Sequence, residues 1–308
     1  MAWLRGFGSY LPDRIVSNVE IGSMTGADPA WILQVSGIEQ RRFAGTGETV
    51  VSLGARAAQD CLAACGAGAS EVGLILMSSG TAERRFPGPA SAVGMELGIA
   101  GIPAIDLPLA SAGSLFGLTL AAQLAGAYGN VLVIASEIMS RAISLTVEGR
   151  ETAILFGDGA GACLVGAEPG IAQFVDAVLH SDGEFAEVLR LEHDGSIHMD
   201  GKTVIMQAAR KLPRAITELL ERNRQAASEV EAILLHQANL NLLTRVAQSV
   251  KVPENRCYSN VARYGNTSSA SMLIAADEWW REQAGKWPGP VVFAAFGAGL
   301  NWGAMLVR

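Results

Sequence analysis

The 308-residue sequence predicts an α/β protein built from two similar halves. Half of its residues are hydrophobic and 17% are charged, which is typical of a soluble chain with a large core and excludes disorder. Two nearly continuous apolar runs, Val72–Ser78 and Asn130–Glu137, are typical of strands buried on both faces. Ala69–Ser78 (ASEVGLILMS) returns as Ala227–His236 (ASEVEAILLH) at an offset of 158 residues. This repeat indicates two halves, each with its own sheet; chance similarity of common α/β segments is the alternative.

Charge and cysteine usage exclude several classes of partner. The net charge of −7 and pI near 5.2 give no general attraction to nucleic acid or to anionic membrane surfaces. The four cysteines lack metal-ligand spacing, and we expect reduced thiols of a cytoplasmic protein. The N-terminal sequence reaches Gly and Pro too early for a signal peptide. We therefore expect no metal, nucleic acid or membrane partner.

Several elements follow from the chain in order. Leu4–Tyr10 is predicted to form the first strand. Ser17 and the pair Asp28-Pro29 are helix-start signatures. A long helix is predicted from about Thr49 to Cys65, and Ala153–Ala167 is predicted to form two strand-like pieces joined by a glycine-rich turn.

The stretch Leu107–Ser136 contains no charged residue and is long enough for a membrane helix. It also contains Pro108 and several glycines, and divides naturally into a turn, a helix and a strand. A helix that is apolar all round can lie at the centre of a large protein. We expect that arrangement here, with the helix covered on every side.

Ser111 stands where the predicted helix of this stretch begins. Backbone N–H groups at a helix start lack intrahelical partners and lie at the positive end of the helix dipole. A nucleophile there would have donors ready for an oxyanion. The alternative is that Ser111 is an N-cap, a position that serine favours.

The other polar residues that could take part in a functional site lie in the second half of the chain. His180, His193 and His198 are expected in loops, whereas His236 leaves a buried strand at its end. Open α/β sheets bind ligands beyond the carboxyl ends of their strands, so His236 and the loop of Asn266 would meet Ser111. A structural histidine and an ordinary turn asparagine are the alternatives.

Taken together and in order, these segments resemble the β-ketoacyl-acyl carrier protein synthase III family along essentially the whole chain. The matching segments are Gly8–Pro12 (GSYLP), Trp31 with Ser36–Ile38 (SGI), Phe86-Pro87, Ile154–Ala162 (ILFGDGAGA), His180–Gly183 (HSDG), His236–Leu240 (HQANL), Gly265–Ser269 (GNTSS) and Phe296–Gly303 (FGAGLNWG). The resemblance implies a thiolase-like fold, a five-layer α-β-α-β-α sandwich. Its halves would be residues 1–168, carrying Ser111, and 169–308, carrying His236 and Asn266.

The resemblance also implies roles. Family members use a Cys-His-Asn triad for acyl transfer and decarboxylative condensation, and His236 and Asn266 match its second and third members. The backbone N–H groups of Ser111 and Ala298 match the oxyanion hole.

The resemblance implies substrates and partners as well. Trp31 and Arg150 match residues that hold the adenine of coenzyme A, and Phe86 matches a residue lent to the acyl pocket by a dimer partner. The substrate would be an acyl-CoA, or an acyl carrier protein thioester, with no cofactor. A homodimer is expected, or a heterodimer with a homologue, and apolar segments such as Asn130–Ser136 are candidates for extending a sheet across the interface.

The chain departs from the family pattern at the nucleophile, where the family has cysteine and this chain has Ser111. A serine hydroxyl needs a general base, and His236 is the candidate. Three hypotheses follow. The first is an acyltransferase or ketosynthase of fatty acid or specialised polyketide synthesis that uses Ser111, for decarboxylative condensation or for transfer to another acceptor. The others are a non-catalytic partner subunit of a cysteine-bearing homologue and an engineered Cys-to-Ser form.

Carrier-protein docking also departs from the pattern. Asn241, Met206 and Val35 stand where basic residues are common in the family. The basic residues that remain nearby are Lys202, Arg210, Lys211, Arg214 and Arg245. We therefore expect docking to be weakened, altered or directed to another partner.

Overall fold

The computed structural model describes residues 1–192 and 195–308, and these ranges contain fourteen strands and ten α-helices. The strands are β1 Trp3–Tyr10, β2 Arg14–Ser17, β3 Gln40–Phe43, β4 Val72–Ser78, β5 Ala104–Leu107, β6 Asn130–Ile138, β7 Asp158–Gly166, β8 Ala172–Ser181, β9 Leu189–Arg190, β10 His198–Met199, β11 Ala232–Leu235, β12 Cys257–Tyr258, β13 Val291–Gly297 and β14 Asn301–Val307. The α-helices are α1 Asn18–Thr25, α2 Pro29–Ser36, α3 Val50–Cys65, α4 Pro89–Glu96, α5 Gly113–Tyr128, α6 Arg150–Ala153, α7 Gly201–Arg222, α8 Leu240–Val250, α9 Val261–Tyr264 and α10 Ser271–Glu282.

Ten of the strands form one sheet in the order β12-β11-β13-β14-β8-β1-β7-β6-β4-β5. The sheet consists of two groups of five strands, β5-β4-β6-β7-β1 and β12-β11-β13-β14-β8. Read from the sheet edge to the junction, the two groups have the same strand order. The groups are joined where β1 and β8 pair, at Trp3 with Gln173 and at Leu4 with Ala172. In each group the three strands farthest from this junction run parallel.

Helices α5 and α10 lie between the two groups of strands. Their apolar side chains, such as Leu115 and Leu273, share one core with Val133 of β6 and Phe293 of β13. Helix α3 covers the outer face of the first group, and α7 with α8 covers the outer face of the second. The layers are therefore helices, one group of strands, helices, the other group of strands and helices, which confirms the predicted five-layer α/β fold. The prediction that each half has its own sheet is wrong in one respect, because the pairing of β1 with β8 joins the two groups into one sheet.

Elements separated by 158 residues occupy equivalent places. One-turn 3₁₀ helices at Ala69–Glu71 and Ala227–Glu229 precede β4 and β11, and α5 begins at Gly113 as α10 begins at Ser271. The division into residues 1–168 and 169–308 stays a prediction; its boundary lies in the connection between β7 and β8.

The predicted helix starts in the first half are confirmed. Ser17 Oγ accepts the N–H of Glu20 at 3.2 Å, and Asp28 Oδ1 accepts the N–H of Ala30 at 3.0 Å. Helix α5 differs: its N-cap is Ala112, and no side chain caps it. The N-cap interpretation of Ser111 is therefore wrong, because the helix begins two residues later.

The glycine-rich segment Ala153–Ala167 does not form two strands around a turn. Residues Asp158–Gly166 are a single strand, buried throughout. Its glycines serve close packing instead, since a Cβ at Gly161 would lie 2.6 Å from Cβ of Leu273 in α10. Glycine therefore allows α10 to approach the sheet here.

The uncharged stretch Leu107–Ser136 forms the predicted turn, helix and strand. Helix α5 is not covered on every side, however, because Leu120 and Tyr128 are 40% and 43% exposed in the isolated chain. The expectation that Asn130–Ser136 extends a sheet across a dimer interface is wrong, because such a strand must lie at a sheet edge. Strand β6, which contains this segment, lies between β7 and β4. The exposed edge of this group is β5. Among the described residues, no helix has the length and apolarity needed to cross a membrane.

Two of the histidines expected in loops lie in strands. His180 is in β8, where its ring stacks on Trp302 at 5.3 Å and its Nε2 lies 3.1 Å from Glu218 Oε2. His198 is in β10. His193 lies outside the described residues.

Candidate active site

Ser111 occupies a sharp elbow between β5 and α5. Its φ of 62° is in the left-handed region, which is costly for a residue other than glycine, and its side chain is 7% exposed. Two glycines make room for the elbow. A Cβ at Gly113 would clash with Ser78 Oγ, and a Cβ at Gly297 would clash with the carbonyl oxygen of Ala110. Strained residues of this kind cluster at functional sites.

Ser111, His236, Asn266 and Ala298 line one cavity of about 130 Å³. Most of the remaining lining is apolar and comes from α7, α8 and the β9–β10 hairpin, for example Leu189, Met199 and Leu242. The structure thus brings together the predicted nucleophile, the histidine, the asparagine and the glycine turn after β13. The internal repeat predicts this proximity of His236 and Asn266 to Ser111.

His236 extends β11 by one residue, because its N–H donates to the carbonyl oxygen of Ala294 in β13 at 2.9 Å. Its Nδ1 lies 2.6 Å from Ser271 Oγ, the first residue of α10. Burial lowers the pKa of His236 to about 4, although a hydrogen bond with the Ser268 backbone acts in the opposite direction. The imidazole is therefore neutral at neutral pH, and only a weak base.

Asn266 is fixed by its backbone and by its amide oxygen. Its N–H donates to the carbonyl oxygen of Leu155 at 2.8 Å, and its own carbonyl accepts the N–H of Gly157 at 3.1 Å. Oδ1 accepts the N–H of Ser268 at 2.9 Å. Because the oxygen is used in this way, the amide nitrogen Nδ2 is left to donate into the cavity.

Sequence reasoning missed a carboxylate beside the site. Glu137, at the end of β6, is fully buried, and its Oε1 accepts the hydroxyls of Ser268 at 3.0 Å and Ser269 at 2.6 Å. Its Oε2 accepts the Thr81 hydroxyl at 2.7 Å and the N–H of Gly80 at 3.0 Å. Burial raises the pKa of Glu137, and these hydrogen bonds lower it in part. One sequence signal was available: Glu137 is the charged residue that ends the uncharged stretch.

Ser268 connects this carboxylate to the elbow. The N–H of Ser111, expected in the oxyanion hole, donates to Ser268 Oγ at 3.1 Å. Ser268 itself has a φ of 47°, so both serines are in the left-handed region. The Ser111 N–H is therefore occupied in this structure, and an incoming oxyanion would compete with the Ser268 hydroxyl for it.

The structure does not bring the three predicted coenzyme A and acyl-pocket residues into this cavity. Trp31, on α2, is 37% exposed, and Arg150, at the start of α6, is also exposed. Phe86 is 84% exposed, next to an outer cavity lined by Arg84 and Gly88. In the described part of the chain, no cluster of His, Cys, Asp and Glu could hold a metal ion.

Comparison with known proteins identifies the family. Residues 105–183 match the family described as 3-oxoacyl-[acyl-carrier-protein (ACP)] synthase III, and residues 220–308 match its C-terminal part. A beta-ketoacyl-[acyl-carrier-protein] synthase III of Oleidesulfovibrio alaskensis is 34% identical over 330 aligned positions, covering 100% of this chain and 98% of the relative.

Solved structures agree. The 3-oxoacyl-[acyl-carrier-protein] synthase III of Aquifex aeolicus superposes with a TM-score of 0.96 at 31% identity, covering 100% of both chains. The priming β-ketosynthase of the R1128 polyketide pathway gives a TM-score of 0.94 at 32% identity, covering 100% of this chain and 96% of the other. These values confirm the predicted thiolase-like fold. The chain therefore belongs to the 3-oxoacyl-[acyl-carrier-protein] synthase III family.

Proposed function

We propose that this condensing acyltransferase accepts an acyl group from coenzyme A on Ser111 and joins it to a malonyl-type extender that loses carbon dioxide. One relative is named a beta-ketoacyl-[acyl-carrier-protein] synthase III and another a priming β-ketosynthase of a polyketide pathway, and we assign this chain to fatty acid or polyketide synthesis. The observation that supports it is the convergence of Ser111, His236 and Asn266 on one cavity.

In the acyl-transfer step, Ser111 Oγ would attack the thioester carbonyl carbon. The C–S bond breaks, an oxyester forms, and the hydroxyl proton leaves with the coenzyme A thiolate. The N–H groups of Ala298 and Ser111 would bind the transient oxyanion. We expect this step to be slow, because a hydroxyl needs a general base and His236, with a pKa of about 4, is a weak one.

In the condensation step, the bond between the extender's carboxylate and its α-carbon breaks. The electron pair forms an enolate, whose charge develops on the thioester oxygen, and carbon dioxide leaves. Donation from His236 and from Asn266 Nδ2 would stabilise that oxygen. The enolate carbon then attacks the carbonyl carbon of the oxyester, the C–O bond to Ser111 breaks, and the Ser111 alkoxide takes up a proton from solvent water.

The expected partners enter the proposal with these roles. Trp31 and Arg150, both exposed, would hold the adenine of coenzyme A. Phe86 would enter the acyl pocket of a second copy, and the uncovered edge strand β5 would form part of that homodimer interface, since exposed edges are normally covered or paired. Carrier-protein docking and a cytoplasmic location remain part of the proposal.

Mass spectrometry of the intact protein after incubation with short acyl-CoA esters tests the acyl-transfer step. We expect a slowly formed adduct of one acyl group, lost in Ser111→Ala and formed roughly a hundredfold faster in Ser111→Cys. Ser114→Ala is the matched control, because the hydroxyl of Ser114 is buried three residues away without a hydrogen bond. No adduct and no turnover in the wild type would contradict the proposal, and rapid acylation of Ser111→Cys in that case would favour the partner-subunit or the engineered Cys-to-Ser hypothesis.

A further inference from the structure

The environment of Ser271 restricts where its hydroxyl proton can go. Ser271 is 3% exposed, and its Oγ lies 2.6 Å from His236 Nδ1. The same oxygen accepts the backbone N–H of Gln237 at 3.0 Å. Within the described residues, Ser271 Oγ makes no third hydrogen bond. The Ser271 hydroxyl proton therefore has one candidate acceptor among these contacts, which is His236 Nδ1.

The proton count selects one arrangement. A hydroxyl has one proton to donate and two lone pairs that accept, and a backbone N–H can only donate. The Gln237 N–H takes one lone pair of Ser271 Oγ. If His236 Nδ1 carried a proton, that N–H would donate to the second lone pair of Ser271 Oγ. The buried hydroxyl proton of Ser271 would then have no acceptor. Leaving a buried donor unpaired is disfavoured by roughly 5- to 150-fold in population. The hydroxyl therefore donates to Nδ1, and the imidazole proton resides on Nε2.

We propose that Ser271 is a positioning residue that holds His236 as the Nε2–H tautomer, which favours decarboxylation of the extender over deprotonation of Ser111. This inference rests on the proposed function. The two half-reactions need opposite tautomers, since a donor to the thioester oxygen requires Nε2–H and a base for Ser111 requires a bare Nε2.

The orientation of Asn266 agrees with this assignment. Its Oδ1 is used by the Ser268 N–H, as the Nδ1 of His236 is used by the Ser271 hydroxyl. In both residues the acceptor atom is held by the protein, and both side chains line the same cavity. Two donors without an acceptor suit a developing enolate oxygen better than they suit a hydroxyl that must lose a proton.

The kinetic test measures the two half-reactions separately. Decarboxylation is followed as conversion of malonyl-CoA to acetyl-CoA, and acylation as the Ser111 adduct formed from a short acyl-CoA. In Ser271→Ala we expect decarboxylation to fall roughly 5- to 100-fold while acylation is unchanged or faster, because the bare-Nε2 tautomer becomes populated. Ser271→Thr keeps the hydroxyl and should restore decarboxylation. Equal losses in both half-reactions would show a merely structural role and overturn the proposal.

A spectroscopic test does not depend on turnover. Two-bond ¹⁵N–¹H correlation spectra of the whole ¹⁵N-labelled protein, with His236 assigned by its loss in His236→Gln, report which ring nitrogen is protonated. We expect Nε2 to be protonated in the wild type and a mixture of tautomers in Ser271→Ala. Protonation of Nδ1 in the wild type would overturn the inference, even if Ser111 is acylated. Conversely, absence of any acyl adduct would refute the proposed function while leaving this result interpretable.

Discussion

The backbone N–H of Ser111 donates to the hydroxyl of Ser268 at 3.1 Å, which joins the two left-handed serines of the chain's two halves. The same hydroxyl donates to Glu137 Oε1 at 3.0 Å. An N–H expected in the oxyanion hole therefore already has an acceptor.

This relationship predicts that Ser268→Ala accelerates acylation of Ser111. A substrate oxyanion would no longer compete with a hydroxyl for the Ser111 N–H, and a hydrogen bond worth about 0.5–1.5 kcal/mol corresponds to a roughly 2- to 12-fold change in rate. The rate of adduct formation at fixed acyl-CoA concentration measures it.

The control for this change is Ser269→Ala. It removes the 2.6 Å hydrogen bond to Glu137 but no contact with Ser111. We expect both variants to lose about 1–2 kcal/mol of unfolding free energy, because each takes a donor from a buried carboxylate. Only Ser268→Ala should alter acylation. Slower acylation in Ser268→Ala would mean that the hydroxyl instead holds the elbow in its active shape.

The φ of 62° at Ser111 predicts that replacing this residue by glycine raises stability and removes function. Ser111→Gly should raise the free energy of unfolding by about 1 kcal/mol, because glycine adopts the left-handed conformation without a Cβ penalty. It should also abolish the acyl adduct. Chemical denaturation measures the gain, and Ser111→Ala should lose the adduct without gaining stability. Equal stabilities for the two variants would argue against strain at the elbow.

The lowered pKa of His236 predicts a pH dependence of stability. In the unfolded chain a histidine binds a proton below about pH 6.5, whereas in the folded protein His236 does so only below about pH 4. Stability should therefore fall as the pH is lowered between these values, by about 3 kcal/mol from this residue. Denaturation at pH 7 and pH 4 should show a smaller loss for His236→Gln than for the wild type. An equal loss in both would place the pKa of His236 near its ordinary value.

The close packing of Gly297, at the end of β13, against the Ser111 elbow predicts that a side chain at this position disturbs the site. A Cβ at Gly297 would clash with the carbonyl of Ala110 and lie 3.0 Å from Ser111 Cβ. Gly297→Ala should displace the elbow and reduce adduct formation at least about tenfold, as small misplacements cost catalysis heavily. Gly126→Ala in α5 is the contrasting change, because its Cβ would meet nothing within 4 Å. It should add about 1 kcal/mol of stability and leave acylation unchanged.

The sequence predicts the fold well because its signals are local and repeated. Apolar runs such as Val72–Ser78 are typical of buried strands, and the cap at Ser17 determines where α1 begins. The error at Ala153–Ala167 has a physical origin. Glycine permits both turns and close packing, and only the position of α10 decides between them.

The candidate site is predictable in its members but not in its protonation. The repeat and the resemblance bring Ser111, His236 and Asn266 together. The hydrogen bonds that use Oδ1 of Asn266 and Nδ1 of His236 come from residues with no distinctive sequence signal. Glu137 is marked in the sequence only as the charge that ends the uncharged stretch, and its role depends on contacts with two separate loops that the sequence does not show.

The core between the two groups of strands contains one helix from each half, and this affects how the halves can fold. Helices α5 and α10 belong to different halves, yet both are packed against strands of both groups. A fragment ending near residue 168 would leave one side of α5 bare, and the complementary fragment would do the same for α10. We therefore expect neither fragment to fold on its own, and Ser111, His236 and Asn266 to become ordered only when both halves are folded.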